Sequence, residues 1–226
     1  DLAAGGLMMA FAVLLAVQAR ERTGRGQDID LAMSDGVTSL LGMQISRMFA
    51  AGNPPPQRGQ HPLGGDRCFY NVYECADGGW VGVGAIEPYF FEALCKGLDL
   101  EEFIPHQHDD DRQPEMKAAF AAAFKTKSRD QWFMALGDLD ACLTPVLDLD
   151  EALADPHVLA RGLKKMVEDP DVGSVPQLGI APMLLETPGD VRLPAARHGQ
   201  HTETILTELG VEANRLSDLR ARGVVS

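Results

Sequence analysis

An uncharged run rich in Ala, Leu and Met opens the chain and constrains its fold more than any other feature. Residues 2–22 carry no charge before Arg20 and end in the segment Gln18-Ala-Arg-Glu-Arg22. This composition favours a helix, and the cations of its last turn suit the negative end of the helix dipole. A helix that is apolar on all sides needs a covering layer, so we expect it to be mostly buried.

The most apolar part of this run, from Leu7 to Val17, is too short to cross a bilayer. No basic region precedes it and no cleavage site follows it, so it does not have the pattern of a signal peptide. We therefore expect no membrane partner. The chain begins without Met, and we interpret it as a fragment or a processed product.

The net charge of the chain limits the kinds of partner it can bind, and the spacing of its cysteines indicates the cellular compartment. The formal net charge is -13, which argues against nucleic acid as a partner. The four cysteines, at positions 68, 75, 95 and 142, show no CxxC spacing. They are typical of free thiols in a reducing compartment, so we expect a cytoplasmic protein without a bound metal.

Turn signals and periodicity divide the chain into short elements of a mixed α/β fold. Predicted strands cover 27–32, 68–74, 80–85 and 142–147, with a hairpin turn at 76–79. Predicted helices cover 33–51, 88–98, 115–126, 129–137, 149–154, 156–161, 201–209 and 213–222. A Gly-Asn-Pro-Pro-Pro stop is expected at 52–56, an acidic solvated loop at 99–113, and a loop-rich region after Gly162. Residues 66–165 are expected to form one compact α+β unit.

Two carboxylates stand at predicted helix starts. Asp1 precedes Ala3-Ala-Gly-Gly6, whose small side chains leave backbone N–H groups open to an anion or a developing oxyanion. Glu87 follows a predicted strand and precedes a Pro that opens a helix. Each could instead be a simple helix N-cap or a charge that complements the helix dipole.

Other clusters of polar or sulfur-containing residues give weaker indications of a functional site. His106-Gln-His108 and the aspartates at 109–111 have the residue types of a metal site, but their position in a polar loop favours a solvated acidic segment. Five methionines lie on or beside the first two helices, at positions 8, 9, 33, 43 and 48. They could pack a core or form an adaptable surface for an acyl chain, and both interpretations stay open. No GxSxG motif for serine catalysis occurs.

Taken in order, several segments resemble the α-methylacyl-CoA racemases and the family III CoA-transferases. The matching segments are Asp1-Leu-Ala-Ala-Gly-Gly6, Thr23-Gly-Arg-Gly-Gln27, Asp30-Leu-Ala-Met33, Arg58-Gly59, Tyr73-Glu-Cys-Ala-Asp-Gly78, Gly84-Ala-Ile-Glu-Pro88, Asp140-Ala-Cys-Leu-Thr-Pro-Val146 and Gly199-Gln-His-Thr-Glu-Thr-Ile-Leu206. The Gly-Ala-Ile-Glu-Pro and Asp-Ala-Cys-Leu-Thr-Pro-Val segments are specific to the family. The Thr-Gly-Arg-Gly-Gln segment is shared across the wider superfamily.

The resemblance implies a large CoA-binding domain and a small domain in an interlocked homodimer. Residues 1–60 and 186–226 would belong to the large domain, whose N-terminal part is absent, and residues 66–185 would form the small domain. Acyl-CoA is the implied substrate, and no further cofactor is implied.

The resemblance also implies roles for single residues. Asp1 would work with a histidine that precedes it in the family, and Glu87 would support the other side of the reaction. The residues to which we assign substrate binding are Gly5, Gly6, Met33, Met43, Leu63 and Tyr70.

Three functions remain open under this resemblance. The first is a racemase that moves the α-proton of a 2-methyl-branched acyl-CoA through an enolate. The second is a CoA-transferase in which Asp1 forms covalent intermediates, and the third is an inactive fragment. The segment Leu63-Gly-Gly-Asp-Arg-Cys-Phe-Tyr70 differs from the Gly-Gly-Ala-Pro type found in many racemases, which keeps the transferase in consideration.

Overall fold

The computed structural model describes residues 1–51, 58–59 and 61–225, and these form two compact units. The first unit spans Asp1–Val146 and the second spans Leu147–Ser226. Helices and strands occur in both units, so the mixed α/β class predicted from the sequence is confirmed. The domain boundaries predicted near residues 60 and 185 stay predictions. The helix stop expected at 52–56 lies outside the described residues.

The chain opens with a wide helical turn that leads directly into a long helix. In the segment Leu2–Leu7 the backbone bonds span five residues, as in a π-helix, and the N–H of Gly6 donates to the carbonyl oxygen of Asp1 at 2.8 Å. Helix α1 follows over Met8–Thr23. Wide turns of this kind often lie at functional sites, because they change the direction of the residues around them.

The exposure of α1 contradicts the expected burial. None of its residues is buried within the described chain, and Phe11 and Leu14 are 62% and 67% exposed. The described residues do not supply the covering layer that a helix apolar on all sides requires.

The length of this apolar helix also corrects an expectation. The helix from Leu2 to Thr23 has 22 residues, and its most apolar 18-residue window has a mean hydropathy of 2.0, so by length and composition it could cross a bilayer. The expected limit was wrong because it counted only the residues from Leu7 to Val17. A helix from the core of a large soluble protein satisfies the same criteria, so the two cases are not separated by length and hydropathy.

Two short helices follow an irregular segment. Helix α2 covers Met33–Leu40 and α3 covers Gly42–Ala51, so the single helix predicted over 33–51 is interrupted at Leu41. The strand predicted over 27–32 does not form, because no described segment pairs with it in a ladder of hydrogen bonds.

A glycine lets α2 approach the opening turn closely. A Cβ atom at Gly36 would lie 2.4 Å from the carbonyl oxygen of Ala4 and 2.9 Å from its Cβ. Gly36 and Ala4 are both buried. The absence of a side chain at Gly36 therefore fixes the distance between α2 and the turn that carries Asp1.

Substitution of this glycine is expected to push the two elements apart. Gly36→Ala places a methyl group against backbone that cannot rotate away, at a cost of about 1–3 kcal/mol in the free energy of unfolding. Urea denaturation of the full-length protein measures the change. Gly42→Ala is the matched control, because a Cβ atom at Gly42 meets nothing within 4 Å. Equal stabilities of the two variants would contradict the packing argument.

A three-stranded antiparallel sheet forms the centre of the first unit. Its strands are β1 over Tyr70–Glu74, β2 over Trp80–Gly84 and β3 over Leu143–Val146, in the order β1-β2-β3. The turn between β1 and β2 is the predicted hairpin, in which Asp77 accepts a hydrogen bond from the N–H of Gly79 at 3.1 Å.

Three helices pack around the same hydrophobic core as this sheet. They are α4 over Pro88–Gly97, α5 over Gln113–Phe124 and α6 over Arg129–Leu136. The core is rich in aromatic rings: the Phe120 ring centroid lies 6.0 Å from that of Tyr73 and 6.1 Å from that of Phe91. The buried Trp132 donates its indole N–H to the carbonyl oxygen of Phe124 at 2.9 Å. These rings make the first unit a well-packed support for the loops at its edges.

The segment over 99–113 is only partly the solvated loop that the sequence suggested. It forms a 3₁₀ turn over Glu101–His106 and buries three side chains, those of Phe103, Gln107 and Gln113. The acidic residues around them hid this burial from the sequence pattern, because the apolar and amide side chains that face inward are isolated from one another.

The second unit contains a hairpin that the sequence did not predict. Strands β4 over Lys164–Asp169 and β5 over Gly173–Leu178 pair antiparallel where only loops were expected. Charged residues in β4 and a proline in β5 obscure the alternation that marks a strand. The helices of this unit are α7 over Leu149–Ala154, α8 over Pro156–Ala160, α9 over Thr202–Glu208 and α10 over Ala213–Ala221.

Candidate active site

Glu87 lies between the end of strand β2 and the start of helix α4. Its backbone is extended, with φ of -71° and ψ of 141°, as the following Pro88 favours. It occupies the N-cap position, but its side chain makes no capping hydrogen bond. The carboxylate is exposed and is not used to satisfy its own helix. The simple N-cap interpretation therefore does not account for Glu87.

The thiol of Cys142 lies in the electrostatic field of Glu87. Cys142 has a φ of 47°, and its carbonyl oxygen accepts the N–H of Gly84 at 2.9 Å. Two effects raise the pKa of the Cys142 thiol. Partial burial is the larger, and the negative charges of Glu87 and Asp140 add to it. A left-handed backbone at a residue other than glycine is uncommon, and here it belongs to an exposed cysteine whose pKa is raised in part by the charge of Glu87.

The other three cysteines are buried and lie in the core. Burial raises the pKa of the Cys68 and Cys95 thiols to about 12 and also raises the pKa of Cys75. These groups stay protonated near neutral pH and are poor nucleophiles. Cys142 is therefore the thiol that an alkylating reagent reaches first.

Alkylation of Cys142 tests its closeness to Glu87. Because a neighbouring anion disfavours the thiolate, Glu87→Gln is expected to lower the pKa of Cys142 and to speed its reaction with iodoacetamide at a fixed pH. Mass spectrometry of the labelled peptide measures the rate. Glu92→Gln, on the same helix, is the control and should leave the rate unchanged. Equal rates in the two variants would show that Glu87 does not act on this thiol.

Asp1 begins the wide helical turn and is exposed. Its side chain makes no capping hydrogen bond, so the N-cap interpretation fails here as well. The first backbone hydrogen bond of the turn runs from the N–H of Gly6 to the carbonyl oxygen of Asp1. The N–H groups of residues 2–5 come before this bond and so lie outside the bonding pattern of the turn. Asp1 thus stands beside a set of backbone donors at the positive end of a helix.

Met33 packs against this opening turn. A Cβ atom at Gly5 would lie 3.2 Å from Cγ and 3.4 Å from Sδ of Met33. Two of the residues assigned to substrate binding, Gly5 and Met33, therefore lie against each other at the turn that follows Asp1. Met43 lies on α3 with its side chain 52% exposed.

Leu63 and Tyr70 line one groove on the first unit. The groove has a volume of about 410 Å³ and is completed by Gly64, Gly65, Asn71, Val72, Gly82 and Val83. Tyr70 pairs with Gly84 across the sheet, and a Cβ atom at Gly84 would lie 3.9 Å from Cε2 of that ring. The groove thus lies at the end of β2 from which Glu87 follows. Its volume is within the usual range for sites that bind small molecules.

All but one of the candidate residues fall into three local groups in the first unit. Met33 lies against the opening turn that follows Asp1 and contains Gly5 and Gly6, Leu63 and Tyr70 share the groove, and Glu87 acts electrostatically on Cys142. Met43, on α3, belongs to none of these groups. No described hydrogen bond or ion pair joins the carboxylates of Asp1 and Glu87. Their common role stays a prediction.

The histidines and aspartates at 106–111 do not converge on one point. Nδ1 of His106 lies 3.5 Å from a carboxylate oxygen of Asp109, whereas the ring of His108 packs edge-to-face on Phe69 at 5.6 Å between centroids. In the described part of the chain, no group of three or more His, Cys, Asp or Glu residues is arranged to hold a metal ion.

Two buried glutamines near Glu87 were not identified from the sequence. Gln107 and Gln113 are the buried polar side chains among the described residues, with 6% and 5% of their surface exposed. Their only sequence signal is that they are uncharged within an acidic stretch, which is too weak to identify them.

Comparison with known proteins gives a consistent match. The profile of CoA-transferase family III matches residues 1–202. The chain is 38% identical to the α-methylacyl-CoA racemase of Homo sapiens over 100% of its own length and 58% of that protein's length. It is 29% identical to the succinyl-CoA–D-citramalate CoA-transferase of Chloroflexus aurantiacus, over 96% of this chain and 55% of that protein. The chain therefore spans little more than half the length of these relatives.

The fold has counterparts among solved structures. A CaiB/BaiF family protein from Brucella suis superposes with a TM-score of 0.69 at 23% identity, covering 90% of this chain and 53% of that one. A Mycobacterium tuberculosis protein superposes with a TM-score of 0.68 at 19% identity, covering 88% of this chain and 53% of the other. At such identities the likeness shows the fold alone.

Proposed function

The chain belongs to CoA-transferase family III, and from this premise we propose that the full-length protein is an α-methylacyl-CoA racemase. The observation that carries the proposal is the 38% identity to the human racemase along the whole chain. The structure adds two carboxylates, Asp1 and Glu87, that are exposed and not used as helix caps.

Racemisation at the α-carbon of a 2-methylacyl-CoA requires two proton carriers on opposite faces of the substrate. One carrier removes the α-proton, and the electron pair left on carbon moves onto the thioester oxygen to give a planar enolate. The other carrier then returns a proton to the opposite face. In our proposal Asp1 and a histidine that precedes it form one carrier, and Glu87 supports the other.

The enolate oxygen also needs hydrogen-bond donors. The backbone N–H groups of residues 2–5, at the start of the opening turn, suit this role because a helix start attracts negative charge. The groove lined by Leu63 and Tyr70, with Met33 near the opening turn, offers apolar surface for the acyl part of the substrate.

A CoA-transferase is the second candidate. The match to the Chloroflexus transferase over nearly the whole chain favours it, as does the departure from the usual racemase segment at 63–70. In that reaction the Asp1 carboxylate attacks the thioester carbonyl and releases CoA thiolate, leaving an acyl anhydride on the enzyme. The thiolate then attacks the Asp1 carbonyl carbon of this anhydride and expels the donor carboxylate, which leaves a thioester between CoA and Asp1. The acceptor carboxylate attacks that thioester and releases the thiolate, which attacks the acceptor acyl group to give the new acyl-CoA and the free Asp1 carboxylate.

One assay separates these two functions. The full-length protein is incubated in deuterated water with a chiral 2-methylacyl-CoA, first without and then with a carboxylic acid acceptor. Deuterium at the α-carbon without an acceptor supports the racemase. Exchange of CoA that depends on the acceptor, with no deuterium at the α-carbon, supports the transferase. The same assay on the 226-residue chain alone tests whether that part is an inactive fragment.

Glu87→Gln is expected to reduce deuterium incorporation by roughly 10²-fold or more, because it removes the carboxylate that supports the second proton carrier. CoA transfer does not require that group and should fall much less. The ratio of the two rates in one preparation measures the effect, and Glu92→Gln serves as the control on the same helix. An unchanged rate of deuterium incorporation in Glu87→Gln would remove Glu87 from the mechanism.

The proposal extends to assembly and location. We propose an interlocked homodimer in the cytoplasm, with no cofactor beyond the acyl-CoA substrate, in which the remainder of the large domain covers helix α1. The exposed apolar surface of α1 supports this, because such a helix needs a cover. Sedimentation at micromolar concentration without detergent tests it, and a monomer or a protein that requires detergent would contradict it.

A further inference from the structure

The peptide segment that precedes Glu87 is held outside the regular sheet. The N–H of Gly84 donates to the carbonyl oxygen of Cys142 at 2.9 Å, and the N–H of Ile86 donates to the carbonyl oxygen of Gly84 at 2.9 Å. After Gly84 the ladder of strand β2 has ended, so the carbonyl oxygens of Ala85 and Ile86 need hydrogen-bond donors from elsewhere.

Gln107 supplies those partners from a different part of the chain. Its side-chain amide nitrogen donates to the carbonyl oxygen of Ile86 at 2.7 Å and to that of Ala85 at 3.3 Å. One buried amide therefore serves both peptide groups that lead into Glu87. Because Gln107 and Ala85 are buried, the bond between them is stronger than it would be in water, and its loss is more costly. The bond to Ile86 is partly buried.

Gln107 is in turn held by Gln113. The Gln113 amide nitrogen donates to the backbone carbonyl oxygen of Gln107 at 2.9 Å and to that of Asp109 at 3.3 Å. The Gln113 amide oxygen accepts the N–H of Cys68 at 3.0 Å. The two glutamines thus form a buried chain of bonds from the residues before β1 to the residues after β2.

These contacts determine the direction of the Glu87 side chain. The carbonyl group of Ile86 belongs to the planar peptide that contains the nitrogen of Glu87, so its bond to Gln107 fixes that plane. On the other side, the carbonyl oxygen of Glu87 accepts the N–H of Phe91 at 3.0 Å, and Pro88 restricts ψ. With both flanking peptide planes fixed, the Cα–Cβ direction of Glu87 is fixed as well.

We propose that Gln107 is the positioning residue for Glu87, acting through the peptide between Ile86 and Glu87. The inference rests on the proposed role of Glu87 in proton transfer. A nonpolar side chain of the same size would fill the same volume at position 107, but it would leave two carbonyl groups without donors. The peptide would then turn toward other partners and carry the carboxylate away from its working position.

Gln107→Met in the full-length protein tests the proposal, because methionine keeps the length of glutamine and lacks its donor. We expect the kcat of α-deuterium incorporation to fall roughly 10- to 100-fold, with little change in KM for the acyl-CoA. Trp132→Phe is the matched control, since it also removes one buried donor to a backbone carbonyl oxygen in the same core. It should lower stability while leaving kcat close to that of the wild type.

The double variant separates positioning from a general structural effect. If Gln107 acts through Glu87, then Gln107→Met should cause little further loss of kcat in a Glu87→Gln background. Losses that multiply would overturn the proposal, as would full activity of Gln107→Met alongside a defective Glu87→Gln. Full activity of Glu87→Gln would instead refute the proposed role of Glu87, and this inference with it.

A second variant keeps the test decisive if Gln107→Met does not fold. Gln107→Asn keeps the amide but shortens its reach by one methylene group, so its kcat should fall less than that of the Met variant. The same cycle with Glu87→Gln then applies. Wild-type kcat in Gln107→Asn, or losses that multiply with those of Glu87→Gln, would overturn the proposal.

Discussion

Replacing Asp1 with alanine in the full-length protein is expected to abolish both α-deuterium incorporation and CoA transfer. In our proposal Asp1 belongs to a proton carrier in the first reaction and is the nucleophile in the second, so neither route would survive its loss. We expect a fall of roughly 10²- to 10⁴-fold in kcat, the range for removal of a general acid or base. The measurement is the deuterium assay, run with and without an acceptor.

The stability of this variant distinguishes a catalytic role from a structural one. Because the Asp1 side chain makes no capping hydrogen bond, Asp1→Ala should leave the melting temperature close to that of the wild type. Asp28→Ala is a control that removes the same charge from the exposed segment after α1 and should keep full activity. Near-normal turnover of Asp1→Ala would refute both proposed functions.

Phe120→Ala is expected to give the largest loss of stability. Phe120 is 0% exposed and lies between the rings of Tyr73 and Phe91 in the core of the first unit. Truncation removes apolar contact and leaves a cavity, at a cost of about 3–5 kcal/mol in the free energy of unfolding. Phe133→Ala is the matched control, because that ring is 45% exposed and should cost much less.

Equilibrium denaturation of the full-length protein, followed by tryptophan fluorescence, to which the buried Trp132 contributes, measures this loss. If Phe120→Ala and Phe133→Ala unfold at the same denaturant concentration, the ring cluster is not the main source of stability in the first unit. A preserved kcat at low temperature in Phe120→Ala would confirm that the substitution acts on stability rather than on the site.

The sequence predicted the elements whose signals are local. The hairpin between β1 and β2 and the helix α6 lie where they were expected, because an Asp-Gly turn marks the first and the periodicity of residues 129–137 marks the second. The start of helix α4 after Glu87 was likewise indicated by Pro88. Each of these features depends on a few adjacent residues, so one sequence is sufficient to read it.

The features that were missed depend on distant partners. The hairpin in the second unit needs two strands whose composition is atypical, and its register is visible only once they pair. The bond from Gln107 to Ile86 joins residues 21 positions apart through a side chain that looked solvated. No local pattern predicts which carbonyl groups will lack a partner when a strand ends, so the support of Glu87 became visible only in the fold.

The division of the chain into two units has an optical consequence. The 14 aromatic residues counted in the composition, 2 Trp, 3 Tyr and 9 Phe, all lie before Leu147. Near-ultraviolet absorbance, near-ultraviolet circular dichroism and intrinsic fluorescence therefore report on the first unit of this chain and give no aromatic signal from the second. A melting curve recorded at these wavelengths would miss an early loss of the β4–β5 hairpin, which only amide signals or an introduced chromophore could register.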